Sequence, residues 1–313
     1  MEYRFAPMEG ISDAVYRKIH REFFPGIDRY YTPFLSPNQN RKFSTKELRE
    51  ILPEWNAGTP LVPQLLCRDP QDFLWAAGEI AELGYPEVNL NLGCPSGTVT
   101  AKKKGAGLLG DPDELDQFLD IVCRAIPIKL SVKTRLGMAE PDEFYRILRI
   151  YNRYPICEVI IHPRTRPEFY KEGTIHREYY GYALEHSRCP VCYTGDLRTA
   201  EDVEALKAEY PAAESVMIGR GLVENPALVR EILTGEKLTK DEVFRFHEAL
   251  FEAYTEAFGG VQNAVPRMKE IWTYLIRWFA DAEKVEKALR KATRKEDFST
   301  AVAQAQSLKF RAP

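Results

Sequence analysis

Eight short segments of the chain are rich in apolar and β-branched residues, and more polar stretches separate them. They are residues 3–8, 28–35, 60–67, 87–94, 128–137, 158–166, 190–196 and 215–221. Several intervening stretches carry helix start signals. Residues 69–83 and 111–125 each open with Asp-Pro, and 198–210 offers Thr199 as a cap with Asp202 three residues later. Strand and helix alternating eight times predict a parallel (β/α)8 barrel, the TIM barrel.

The pattern changes after about residue 237. Residues 239–258 and 265–292 carry apolar side chains at helical spacing, and no strand signal follows. We therefore predict two domains: a catalytic barrel over residues 1–237 and a small all-helical domain over residues 238–313.

Polar or small residues stand at the end of nearly every predicted strand. The ends of parallel strands form the active-site face of such barrels, so these residues are expected around one mouth. The residues at the strand ends are Met8, Gln64, Asn91, Cys94, Lys133, Arg135, His162, Arg164, Thr194, Gly195, Asp196, Gly219, Arg220 and Gly221. This arrangement favours an enzyme over a structural barrel.

Glycines follow the last two predicted strands, at Gly195, Gly219 and Gly221. Backbone amides at such corners can approach a phosphate closely, and Arg220 supplies a positive charge beside them. A single glycine would more often mark an ordinary turn. Two glycine-bearing corners on consecutive strands favour a phosphate site.

Three further polar side chains each allow two interpretations. Lys133 and Arg135 are two apart on one strand and share a face, where they would either meet an anion or electron-rich ring or be solvated. His162 ends an apolar strand and could be a core histidine, although the following Arg164 and Arg166 favour contact with a ligand.

Cys94 ends a strand at a Gly-Cys-Pro corner. It could be a nucleophile, a metal ligand, a proton donor or a buried structural residue. A thiol with the usual pKa of about 8.5 is mostly protonated at neutral pH and so can give up a proton. The glycines and lysines that follow, over residues 97–107, make a purely structural role less favoured.

Composition narrows the class of protein. The chain has 313 residues, of which 44% are hydrophobic and 28% charged, and a formal net charge of −3. From residue 265 onward, however, eleven Lys or Arg stand against six Asp or Glu. This basic region either meets a polyanionic partner or is a solvated helical face, and charge alone leaves both open. Six scattered cysteines favour reduced thiols and a cytoplasmic location. No apolar run is long enough to span a membrane. Cys189 and Cys192 form a lone CxxC on a strand, so we predict no metal.

Taken together, the motifs resemble those of the tRNA-dihydrouridine synthases. The matching stretches are "APMEGISDAVYRKI", "NLNLGCPSGTVTAKKKGAGLL", "VKTRLG", "HPRTR", "TGD" and "VMIGRGLVENP", with "RMKEIWTYL" in the helical tail. The resemblance covers most of the chain. The Asn-Leu-Gly-Cys-Pro block together with the Ala-Pro-Met start is its specific part.

This resemblance implies a flavin mononucleotide (FMN) site and assigns residues to it. Those expected to bind FMN are Pro7, Met8, Gln64, Lys133, His162, Thr194, Gly195, Asp196, Gly219 and Arg220. Asn91 and Arg135 would meet the uracil, and Cys94 would be the proton donor. NADPH or NADH would reduce the flavin, and the helical tail would bind tRNA. The sequence leaves the oligomeric state open, and a monomer is the expectation. Which uridine is reduced stays open. The alternatives are a flavin barrel that reduces a free dihydropyrimidine or enone, and a non-catalytic RNA-binding module.

Overall fold

The computed structural model describes residues 1–311, which form two compact units. The first unit comprises Met1–Pro7, Asp28–Gly195 and Ala205–Ile218. The second comprises Met8–Ile27, Asp196–Glu204 and the chain from Gly219 onward. Each unit is therefore assembled from separate stretches of sequence, and the predicted boundary at residue 237 stays a prediction.

The first unit is built on a parallel barrel. Its strands are β1 (Glu2–Phe5), β2 (Arg29–Tyr31), β3 (Leu61–Val62), β4 (Gln64–Leu65), β5 (Glu87–Leu92), β6 (Lys129–Gly137), β7 (Ile156–Thr165), β8 (Val191–Thr194) and β9 (Ser215–Ile218). Neighbours pair in the order β3-β2-β1-β9-β8-β7-β6-β5-β4, and every pair is parallel. The predicted (β/α)8 barrel is confirmed.

Pro63 explains why nine strands are counted where eight were predicted. It lies between β3 and β4 and has no N–H to donate, so it interrupts the ladder within a single predicted strand. Its carbonyl still accepts from the backbone N–H of Asn89 on β5, at 2.8 Å. Counting β3 and β4 as one strand, the sheet closes into an eight-membered ring.

Side chains from alternate positions of the strands fill the barrel. One buried cluster contains Ala6, Tyr31, Val62, Ile160, Cys192 and Met217. Because these residues come from six different segments, the barrel interior is a packed core and leaves the strand ends as the place for a site.

Helices connect the strands and continue after the last one. They are α1 (Ala14–Phe23), α2 (Thr45–Ile51), α3 (Pro53–Asn56), α4 (Pro70–Glu82), α5 (Gly97–Thr100), α6 (Pro112–Ala125), α7 (Glu143–Tyr151), α8 (Arg177–His186), α9 (Ala200–Glu209), α10 (Arg220–Glu224), α11 (Leu228–Thr234), α12 (Lys240–Ala257), α13 (Val261–Leu275), α14 (Glu283–Lys291) and α15 (Lys295–Ser307). Asp69 and Asp111 cap α4 and α6 through their carboxylates, as their Asp-Pro starts predicted. Thr199 and Asp202 exchange the expected capping bonds at α9.

In the second unit, α1 packs against α12 through aromatic side chains. Phe246 of α12 lies 5.8 Å from Tyr16 and 5.2 Å from Phe24 between ring centroids. The hydroxyl of Tyr254 also donates to Asp13, the residue that caps α1, at 2.9 Å. The early helix α1 thus shares its core with the helical tail.

The helical spacing predicted over residues 265–292 is interrupted in the structure. Helix α13 ends at Leu275, a 3-10 turn covers Ile276–Trp278, and Asp281 adopts a left-handed backbone with φ of 53° before α14 begins. The chain therefore turns back on itself where the apolar pattern alone suggested continuity. Within residues 1–311, no helix is both long and apolar enough to cross a membrane.

Candidate active site

Asn91 shapes the turn that carries Cys94. It lies on β5, and its side-chain oxygen accepts from the backbone N–H groups of Gly93 at 3.0 Å and Cys94 at 2.9 Å. This pair of bonds folds the chain sharply as it leaves the strand. Cys94 is consequently held half-buried at the strand end, and its thiol follows a fixed backbone.

A chain of side-chain amides holds Asn91 in turn. Asn91 Nδ2 donates to Gln64 Oε1 at 2.8 Å, and Gln64 Nε2 donates to Asn89 Oδ1 at 2.8 Å. Asn89 Nδ2 then donates to Ser131 Oγ at 2.9 Å. These bonds fix which end of each amide is oxygen, and they link three neighbouring strands beneath the Cys94 turn. Gln64 and Asn89 are fully buried.

Gly105 supports the Cys94 turn from the other side. Its φ is 56°, and a Cβ placed on it would lie 2.9 Å from the Cys94 carbonyl oxygen and 3.0 Å from the Cys94 Cβ. The next residue, Ala106, donates its N–H to that same carbonyl at 3.1 Å. Only glycine allows the lysine- and glycine-rich segment to pack this closely against the turn.

Lys133 and Arg135 lie on β6 beside β5, where Lys133 is the register partner of Asn91. Burial, reinforced by the Arg135 guanidinium, lowers the pKa of the half-buried Lys133 ammonium to about 8. Within residues 1–311 no carboxylate pairs with this ammonium. A half-buried cation of this kind suits an electron-rich ligand edge.

Arg135 is almost fully buried and is used to tie strand ends together. Its Nε donates to the Gly93 carbonyl at 2.8 Å, and its Nη1 donates to the Thr165 carbonyl at 2.9 Å. Its guanidinium also lies 5.0 Å from the centre of the Tyr170 ring. Burial lowers the pKa of Arg135. The face of the aromatic ring attracts the positive charge of the guanidinium.

His162 on β7 is the register partner of Arg135. The ring of Tyr170 stacks on it, with centroids 5.7 Å apart and planes 25° from parallel. Gly195, with φ of 148°, packs so close that a Cβ there would lie 3.0 Å from the His162 ring. Tyr170 is about half exposed and belongs to the segment 166–174, of which the sequence analysis singled out only Arg166.

The other predicted site residues lie at strand ends in their own units. In the first unit, Pro7 follows β1 and is half-buried, and Thr194 is the buried last residue of β8. In the second unit, Arg220 Nη2 donates to Asp196 Oδ1 at 3.0 Å, and Asp196 has a left-handed φ of 48°. Gly219 directly precedes Arg220, and Met8 donates its N–H to Ser12 Oγ at 2.7 Å.

Sequence reasoning missed Asn89, Tyr170 and the hydrogen-bonding role of Arg164. Asn89 had a usable signal, because an asparagine two residues before Asn91 points to the same face of a buried strand. Tyr170 had none, since its position depends on the path of an irregular segment.

A barrel with a polar, cation-bearing mouth at its strand ends defines an enzyme of the (β/α)8 class. Solved structures agree on the fold: morphinone reductase aligns with a TM-score of 0.55 at 11% identity over 78% of this chain and 88% of that one. An old yellow enzyme homologue from Zymomonas mobilis aligns with a TM-score of 0.57 at 13% identity, covering 78% and 92%.

The dihydrouridine synthase (Dus) family model matches residues 4–310. The chain belongs to this family. Among its relatives, the tRNA-dihydrouridine(16) synthase of Pseudomonas syringae pv. tomato is 34% identical over 76% of both chains. That of Pseudomonas putida is 30% identical over 90% of both, and that of Salmonella typhimurium is 28% identical over 96% of this chain and 98% of the relative.

Proposed function

We propose that this chain is a flavin-dependent tRNA-dihydrouridine synthase, which reduces uridine in tRNA to 5,6-dihydrouridine. The observation that carries the proposal is the Cys94 turn, which Asn91 holds at the strand ends beside the cations of Lys133 and Arg135. Family membership supplies the reaction class.

The flavin would be FMN, and Pro7, Gln64, Lys133, His162, Thr194 and Gly195 of the first unit would hold it. Met8, Asp196, Gly219 and Arg220 stay predicted contacts from the sequence. The unpaired ammonium of Lys133 supports this assignment, because a flavin offers electron-rich oxygen and nitrogen atoms along one edge. The close approach of Gly195 to His162 leaves no room for a side chain there.

The chemistry adds a hydride and a proton across the C5–C6 double bond of uracil. A bound flavin, reduced by NADPH or NADH, would supply the hydride for C6. The Cys94 thiol gives its proton to C5. Asn91 and Arg135 orient the uracil, and the fixed Cys94 backbone keeps the acid on one side of the ring.

The substrate is a uridine within a folded tRNA, and we place it at position 16 because the three relatives above carry that position in their names. Such a base reaches a barrel mouth only when it leaves its stack, which costs a few kcal/mol. The basic helical tail offsets this cost by holding the RNA backbone. The enzyme acts as a monomer in the cytoplasm.

Absorbance of the purified protein between roughly 350 and 500 nm tests this function. We expect a flavin spectrum that bleaches with NADPH or NADH and recovers, without oxygen, only when unmodified tRNA is added. Mapping of dihydrouridine in the product should give position 16. Recovery with a free pyrimidine or an enone would instead identify a small-molecule reductase, and a colourless protein would contradict the flavin assignment.

Cys94→Ala is the matched control in the same cuvette. It leaves the flavin contacts and the tail unchanged, so the protein should bleach normally and bind tRNA, yet recover little colour because the proton donor is gone. Recovery at the wild-type rate would remove Cys94 from the mechanism.

A further inference from the structure

Arg164 is a fully buried arginine on β7, two residues beyond His162 and on the same face. Its guanidinium reaches side chains and backbone on two segments. Nη1 lies 3.0 Å from His162 Nε2, Nε donates to Thr174 Oγ1 at 3.0 Å, and Nη2 donates to the Lys171 carbonyl at 3.0 Å. One side chain thus holds both the imidazole and the segment that carries Tyr170.

The contact with His162 has only one possible direction. A guanidinium has five N–H donors and no acceptor, so the imidazole Nε2 must be the acceptor. A nitrogen that accepts carries no proton, and the ring is then neutral with its proton on Nδ1. A doubly protonated imidazolium would set N–H against N–H at this distance.

The charges around His162 agree with a neutral ring. Its register partner on β6 is the cation Arg135, and on β7 itself the ring contacts the cation Arg164. From the segment 166–174 the ring of Tyr170 stacks on it. On the β8 side the ring meets the backbone of Gly195, next to the apolar Ile175. An imidazolium here would add a third positive charge beside the buried Arg135 and Arg164.

We propose that Arg164 is a positioning residue that keeps His162 neutral and in the Nδ1–H tautomer. The tautomer follows from the contact with Arg164 alone. Its purpose rests on the proposed function: an imidazolium is a stronger acid than a thiol, so a neutral His162 leaves protonation of uracil to Cys94.

Nitrogen NMR of protein labelled with 15N-histidine reads the tautomer directly. The chain has five histidines, and the signals that disappear in His162→Gln identify those of His162. In the wild type, with and without flavin, we expect the Nδ1–H pattern of a neutral ring, unchanged between pH 6 and 8. An Nε2–H or charged ring at neutral pH would overturn the proposal.

Two substitutions separate the tautomer from support of the loop. Arg164→Met removes every donor, so His162 should mix tautomers and titrate near its usual pKa of about 6.5. Arg164→Lys keeps one donor for Nε2 but cannot also hold Thr174 and Lys171, so the Nδ1–H pattern should survive. An unaltered His162 pattern in Arg164→Met would refute the role of Arg164.

Thr174→Val serves as the loop control, because it removes the acceptor of Arg164 Nε and the bond from Thr174 Oγ1 to the Lys171 carbonyl, but keeps every donor of Arg164 for His162. Rates of flavin reoxidation by tRNA should show a new ionisation near pH 6.5 in Arg164→Met and none in Thr174→Val. An identical pH profile in both variants would reduce Arg164 to loop support. The wild-type spectrum decides the tautomer even if Arg164→Met does not fold, and it stays valid if the protein makes no dihydrouridine.

Discussion

The Asn91 side-chain oxygen accepts hydrogen bonds from the backbone of the Cys94 turn, and one of its N–H groups donates to Gln64. Its remaining N–H is the group that can reach a substrate. An aspartate at this position would lose the bond to Gln64, and an alanine would release the turn. The residue predicted to contact uracil therefore also sets where the predicted acid stands.

Lys133 gives a prediction about pH. Its pKa of about 8 means that the flavin-free protein carries the ammonium below pH 8 and loses it above. If the charged form binds the flavin, affinity should fall as pH rises through 8, and be about tenfold weaker at pH 9 than at pH 7. Quenching of flavin fluorescence on binding measures the affinity at each pH between 7 and 9.

Two variants serve as references for that titration. Lys133→Met should bind weakly at every pH and lose the fall above pH 8, whereas Lys102→Met, at an exposed lysine, should keep the wild-type curve. The same fall in Lys133→Met would assign the ionisation to another group.

At the scale of elements, the turn over Gly93–Pro95 and the segment that begins at Gly105 act as one unit around Cys94. Gly105→Ala should disturb it in two ways: an L-residue is strained at φ of 56°, and the new Cβ meets the Cys94 carbonyl at 2.9 Å. We expect the free energy of unfolding to fall by about 1–3 kcal/mol. The rate of dihydrouridine formation should also fall in the folded protein, because Cys94 shifts.

Gly84→Ala is the matched comparison. Gly84 also has a positive φ, of 90°, but nothing lies within 4 Å of a Cβ placed there. It should lose comparable stability from strain and keep its rate per bound flavin. Thermal denaturation and initial rates distinguish the two variants, and equal rates would contradict the proposed coupling of Gly105 to Cys94.

The sequence predicted elements well wherever one local pattern decides them. All eight strand segments follow from their apolar and β-branched residues. The starts of α4 and α6 follow from Asp-Pro, and that of α9 follows from Thr-x-x-Asp. The break in β3–β4 at Pro63 and the turn before α14 did not follow. Each depends on how one residue's backbone fits its neighbours, and the positions of apolar residues carry no information about that fit.

The same limit applies to the candidate site. Alternation along β6 puts Lys133 and Arg135 on one face, and strand ends gather the polar residues. Arg135 donates to two backbone carbonyls, and the Tyr170 ring faces its guanidinium. Neither contact could be predicted, because the segments involved have no regular hydrophobic period.

At the scale of the molecule, charge is concentrated in the tail. On α14, Val285 and Leu289 are buried while Lys284, Lys287, Arg290 and Lys291 are exposed. If this face holds the tRNA backbone, replacing Lys287, Arg290 and Lys291 with Gln should weaken tRNA binding. The slope of log affinity against log salt should fall by about one for each phosphate that the variant no longer neutralises.

The control removes the same charge elsewhere, with Gln at the exposed Arg124, Arg149 and Lys207 of the first unit. Filter binding over a range of salt concentrations compares the two triple variants. Equal slopes would show that α14 is not the RNA-binding face.

The shared core of α1 and α12 has a consequence for synthesis on the ribosome. The hydrogen bond from Tyr254 to Asp13 joins residues 241 positions apart, and Phe246, which contacts Tyr16, lies on the same late helix α12. At about 5–20 residues per second, the nascent chain carries the aromatic face of α1 unburied for roughly ten to fifty seconds. During that interval α1 is exposed to chaperones, and its core with α12 forms only after α12 has been synthesised.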